Sequence, residues 1–184
     1  VDRGLGAAGM SNNDRLASYD PADLSRILSY AFQPIVDLTT GHVVRLEALA
    51  RVLSSDGRVI GPERLIAYLA AIDAEDLLTQ LTFERVTAAA ARLAQAGLAV
   101  PIGLNLMPSQ LNIHVPDQLD AACDAHNLQR RALAIEVVEA PALGPEAMLS
   151  LEMLARRGYP LLRDDVGAGV ADLLAIAALP FAGL

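Results

Sequence analysis

From residue 100 onward the chain alternates short apolar runs with amphipathic stretches, and this alternation limits the folds open to it more than any other feature. Residues 100–106, 133–138 and 160–166 read as strands, and residues 117–126, 145–157 and 170–178 as helices. Strands separated by helices imply βαβ units, a mostly parallel sheet and right-handed crossovers, so the fold class is α/β. The opening differs. Residues 31–38 and 42–53 read as two strands across the turn Thr39-Thr40-Gly41, an antiparallel hairpin. After a turn at 54–57, Pro62 opens a helical region that runs to Gln95, breaks near Asp73 and is stopped by Gly97. Ahead of the hairpin, Asp20 and Pro21 read as the cap and first position of a short helix bearing Leu24, Ile27 and Leu28. Residues 1–19, with Gly4, Gly6, Gly9, Asn12 and Asn13, read as a flexible lead-in, leaving 20–184 as a single domain.

Composition removes several function classes. The 14 basic residues are all Arg, so Walker-type phosphate binding and Schiff-base chemistry, which need a lysine, are excluded from these residues. With 22 acidic residues and a net charge of −8, a general electrostatic grip on nucleic acid is not expected. An anionic ligand would need metal ions to bridge it. The single cysteine, Cys123, fits a reducing compartment, and with no membrane span or signal core the cytoplasm is the expected location.

Strands of a parallel sheet are apolar almost throughout, so a carboxylate inside one needs a charged partner or a metal. Period-two alternation puts Arg45, Glu47, Leu49 and Arg51 on one face of the second strand. An ion-pair ladder is the plainest use of that face. The third strand ends in Gly103-Leu104-Asn105-Leu106, the fourth holds Ile135-Glu136-Val137-Val138-Glu139, and the fifth ends in Asp164-Asp165-Val166. Taken singly, Asn105 reads equally as a turn cap, Glu136 as a core carboxylate with an Arg partner, and Asp164-Asp165 as a helix cap. Taken together, all lie toward the carboxyl ends of strands, the rim where α/β folds build their sites. Four carboxylates and an amide form a hard-oxygen set suited to Mg²⁺, Mn²⁺ or Ca²⁺. Adjacent aspartates favour two ions, about 4 Å apart in the usual design for phosphodiester hydrolysis.

These residues resemble the EAL domains of bacterial cyclic di-GMP signalling. The tripeptide Glu47-Ala48-Leu49 follows Gln33-Pro34-Ile35-Val36-Asp37-Leu38 and Gly41 and precedes Arg51, and it is succeeded in order by Asn105-Leu106, Glu136-Val137-Val138-Glu139 and Asp164-Asp165-Val166-Gly167-Ala168-Gly169. The resemblance implies a (β/α)₈ TIM-type barrel with an antiparallel early strand, here incomplete, and linearisation of cyclic di-GMP with two Mg²⁺ or Mn²⁺ ions. It implies Glu47, Asn105, Glu136, Asp164 and Asp165 as metal ligands, Glu47 and Asp164 also as the catalytic pair, and Gln33, Arg51 and Asp165 at the dinucleotide. Glu139 matches the anchor of the loop after the fifth strand.

The departures carry equal weight. Val138, Val166, Ala168 and Met107 replace the family's usual Thr, Phe, Thr and Ser. The family's catalytic Lys at its sixth strand has no counterpart here, and the match covers about five of eight strands, where a full barrel takes roughly 250 residues. The favoured expectation is a degenerate or truncated domain, ending before the sixth barrel strand, that retains ligand or metal binding without hydrolysing alone. Its open barrel edges call for a protein partner or self-association. The alternatives are the amino-terminal part of an active phosphodiesterase and a non-enzymatic interaction module. A dinucleotide-cofactor fold at Gly167-Ala168-Gly169 is a poor match, since its third glycine position is Asp172. His42, His114 and His126 read as turn or surface residues, and Cys123 as buried filler.

Overall fold

The computed structural model describes residues 24–53, 59–60, 65–67, 69, 74–137, 143–163 and 181–183. In chain order the elements are α1 (Leu24–Ile27), β1 (Leu28–Val36), β2 (Val43–Leu53), β3 (Val59–Ile60), α2 (Glu75–Gln95), β4 (Ile102–Leu106), α3 (Val115–Ala125), β5 (Leu133–Val137), α4 (Pro145–Arg156), β6 (Leu161–Arg163) and β7 (Phe181–Gly183). The strand order is β1-β2-β4-β5-β6-β7, with β3 pairing to β2. The pairs β2–β4, β4–β5, β5–β6 and β6–β7 are all parallel. The sheet is therefore the parallel one expected.

Three details differ from the sequence reading. Leu28 opens β1 instead of closing the preceding helix, because its side chain is buried and the extended chain starts there. Residues 59–60 form a two-residue strand antiparallel to the end of β2, with Val52 opposite Ile60. Residues 181–183 pair in parallel with β6, so the sheet does not end at the fifth barrel strand as expected. The lead-in, the helix cap at Asp20, the expected helix 170–178 and the residues Glu139, Asp164 and Asp165 lie outside the described residues.

The described residues divide into two compact units, one reaching Ala31 and including Ala50–Leu78, the other Phe32–Leu49 with Thr79 onward. In the first, Leu24, Leu28, Val52, Leu65, Leu69 and Leu78 are buried. In the second, the turn between β1 and β2 is held by Asp37, whose Oδ1 accepts the Thr39 and Thr40 backbone N–H groups at 2.7 and 3.0 Å. Those bonds hold the exposed Asp37 carboxyl below its ordinary range. Gly41 completes the turn at φ +72°, a conformation that only glycine adopts readily. So short a connection between neighbouring strands requires an antiparallel pair, the hairpin expected.

Register assigns the two faces of the sheet in this unit. Leu46–Ile102–Leu133 and Ala48–Leu104–Ile135–Leu161 line up across neighbouring strands and alternate with the polar rows. Ile102, Leu104, Leu106, Leu133, Ile135 and Leu161 are fully enclosed, as are Val86 of α2, Leu119 and Cys123 of α3, and Leu151 and Leu154 of α4. Burial raises the Cys123 thiol above its usual range, which keeps it protonated and inert, as filler should be. Helix α3 is pinned through its own Asp120, which receives Arg157 at 2.9 Å, Arg130 at 2.6 Å and the Tyr159 hydroxyl at 2.8 Å. The residues after β4 are fixed by the buried Gln110. Its Nε2 donates to Thr79 Oγ1 at 2.9 Å and its Oε1 accepts the Met107 N–H at 3.0 Å, so both ends of the amide are satisfied.

Candidate functional site

The opposite face of the same rows carries the polar residues. Glu47 lies opposite Gly103, which lies opposite Ala134, and one step further along Asn105 lies opposite Glu136. Because partners in a parallel pair share a face and every second residue returns to it, Glu47, Gly103, Asn105 and Glu136 stand on one side of the sheet. Two side-chain contacts lie on that side. Asn105 Nδ2 donates to Glu47 Oε1 at 2.7 Å. Glu136, only 4 % exposed, reaches Arg45 of β2, with 3.1 Å between Arg45 Nε and Glu136 Oε1. The contact lies off the hydrogen-bond direction, so it is an ion pair without a well-directed hydrogen bond.

Between Glu136 on β5 and Arg45 on β2 lies β4, and the carboxylate crosses it at Gly103. A Cβ at Gly103 would overlap Glu136 Oε1 and sit 2.6 Å from its Cδ. A glycine inside a strand commonly marks such a close approach. The sequence reading allowed Glu136 an Arg partner without saying which, and it passed over the close approach at Gly103. The glycine within the apolar run was the available signal.

The expected ion-pair ladder on β2 takes a different form. Arg45 pairs across strands with Glu136, and Glu47 is bonded by the Asn105 amide. Of the residues assigned to the dinucleotide, Gln33 is exposed on β1, and Arg51, half-buried near the end of β2, donates from its Nη1 to the Ala50 carbonyl at 2.8 Å. They fall in different compact units. Glu139, Asp164 and Asp165 are not described.

The site's chemistry is that of hard oxygen. Asn105 Oδ1 is buried with no hydrogen-bond partner, an open acceptor beside two carboxylates. A buried unpaired acceptor among anionic oxygens fits a divalent cation, and Glu47, Asn105 and Glu136 are the residues that would hold it. Among the described residues no group of three His, Cys, Asp or Glu side chains gathers, so these two carboxylates form the described part of the site. His42, His114 and His126 are exposed and stand apart from it. No helix among the described residues is long and apolar enough to cross a membrane.

A parallel sheet backed by helices on one face, with carboxylates and an amide near the strand ends on the other, defines a TIM-barrel-like α/β domain with a hard-donor site. The chain belongs to the EAL domain family, whose description it matches over residues 23–184. It is 29 % identical over 154 residues to the cyclic di-GMP phosphodiesterase RocR of Pseudomonas aeruginosa, covering 82 % of this chain and 39 % of that protein. The chain therefore spans well under half the length of that curated relative. The solved structure of the PaMucR phosphodiesterase in complex with c-di-GMP superposes with a TM-score of 0.70 at 26 % identity, over 85 % of this chain and 67 % of that one. The EAL domain of Xanthomonas citri FimX, also in complex with c-di-GMP, superposes at 0.73 over 90 % and 65 % of the two chains. At 13 % identity the latter likeness concerns the fold alone.

Proposed function

We propose that this chain is a cytoplasmic cyclic di-GMP-binding domain that takes the dinucleotide through divalent ions, Mg²⁺ or Mn²⁺, and that these 184 residues do not hydrolyse it by themselves. The observation that carries the reading is the open, buried Asn105 Oδ1 beside Glu47 and Glu136 on one face of the sheet. A net charge of −8 makes metal bridging the physically reasonable way for such a surface to accept an anionic phosphodiester. Glu47, Asn105 and Glu136, with Asp164 and Asp165 by family resemblance, would hold the ions. Such ions, when bound, polarise phosphoryl oxygens and lower the pKa of water. Gln33 and Arg51 are proposed to contact the dinucleotide, and Glu139 to anchor the loop that follows Asp165. Glu47 and Asp164 are the proposed catalytic carboxylates should a complete site form. The absence of lysine supports the lack of turnover, since acid–base assistance by a positioned group contributes roughly 10²- to 10⁴-fold.

Calorimetric titration of cyclic di-GMP, with Mg²⁺ and with chelator, tests this. The expected result is binding that requires the metal, with no linear product in the reaction mixture. Metal-independent binding or no binding would contradict the binding claim, and linear product from these residues alone would contradict the claim of inactivity.

A further inference from the structure

The Glu136 carboxylate is the most enclosed charge at the site, and the cation beside it is one the chain supplies itself. Arg45 stands two residues before Glu47 on the same strand, and its Nε lies 3.1 Å from Glu136 Oε1. Gly103 provides the passage: without a side chain on β4 at that point, Glu136 lies across the strand and reaches β2. The arginine is neither locked nor sealed in. Its side chain is 28 % exposed against 5 % for that of Glu136, and the contact lacks a directed hydrogen bond. A guanidinium does not lose its proton in the accessible pH range, so it leaves a carboxylate by being displaced, and a long stem lets the head swing to water. A divalent ion drawing on Glu136 would meet both competition for the oxygen and repulsion from a fixed positive charge.

We infer that Arg45 is a built-in counter-cation of the donor cluster, exchanging places with the divalent ion at Glu136 and so setting the metal concentration at which the site fills. The inference rests on the metal-binding reading above and deepens it: Arg45 is a positioning residue that acts through Glu136. It predicts a domain that holds its metal less tightly than its donor set allows. Neutralising this one arginine should tighten binding, whereas a merely structural residue would weaken binding when altered.

The test is Mn²⁺ titration of the full chain, without nucleotide, followed by the electron paramagnetic resonance signal of free Mn²⁺. R45M, which keeps most of the stem and removes the charge, is expected to bind Mn²⁺ about tenfold or more tightly than the unaltered chain, within the range by which neighbours of metal ligands shift affinity. R45K, which keeps the charge, is expected to stay near the unaltered value. Equal or weaker binding by R45M overturns the inference, and so does R45K binding as tightly as R45M. A second measurement needs no variant: the Arg45 Nε–H nuclear resonance of the unaltered chain should move toward a solvent-exposed guanidinium with the same midpoint as Mg²⁺ saturation. Saturation that leaves this signal unmoved overturns the inference. If the unaltered chain binds metal and R45M is unchanged, the inference alone falls. If neither binds metal, the metal-binding reading falls with it.

Discussion

Replacing Glu47 with Ala is expected to lower divalent-metal affinity by at least about 100-fold while leaving the sheet intact. Changes to groups that merely surround metal ligands typically lower affinity roughly 10- to 100-fold, and Glu47 is placed here as a ligand itself. The substitution also deprives Asn105 Nδ2 of its 2.7 Å acceptor, leaving an amide whose Oδ1 is already open. Hydrogen bonds to charged groups contribute about 1.5–3 kcal/mol, and at a half-buried position the lower end of that range is the expected loss of stability. The comparison variant is E47Q, which keeps an oxygen in place for the Asn105 bond and removes the charge. Both variants should lose metal affinity, and E47Q should retain more stability in thermal melts. Unchanged Mn²⁺ affinity in E47A would remove Glu47 from the site.

Gly103→Ala should damage both stability and the site. The added Cβ falls on Glu136 Oε1 and 2.6 Å from Cδ, so the carboxylate must move. The clashing atoms belong to the end of a side chain, which would be a small matter at a surface. At 4 % exposure Glu136 has no open direction, and any shift parts it from Arg45. Overpacking of this kind costs about 1–3 kcal/mol and should be accompanied by weaker metal binding. A double-mutant cycle separates this from a backbone effect. With Glu136→Ala in place the overlap is gone, and Gly103→Ala should be neutral or favourable, since glycine within a strand is about 0.5–1 kcal/mol worse than alanine. Denaturant melts of the four proteins measure it, and equal losses in both backgrounds would refute the passage at Gly103.

Much of this was legible in the sequence for identifiable reasons. The apolar runs of β4 and β5 could be read because a strand buried on both faces tolerates few polar residues. For the same reason Asn105 and Glu136 stood out within them. Leu28 was less legible: Leu24, Ile27 and Leu28 satisfy helical spacing, and what assigns Leu28 to β1 is its place in the first unit's core. The two-residue β3 and three-residue β7 are too short to carry a period of their own, and pairing with β2 and β6 defines them. The partner of Arg45 could not be read from its own strand. Alternation places Arg45 and Glu47 on one face, but residues two apart along a strand are separated by about 6.8 Å of backbone rise. Glu136 comes within 3.1 Å from two strands away, because Gly103 leaves the way open. Sequence spacing encodes the first relation, and only the stagger of three strands encodes the second.

Anomalous diffraction from crystals of the chain grown in excess Mn²⁺ tests the central claim most directly. The account predicts a manganese peak within coordination distance of Glu47, Asn105 Oδ1 and Glu136, with Arg45 turned away from the carboxylate. A saturated crystal with no manganese on this face of the sheet, and Glu136 still against Arg45, would contradict it.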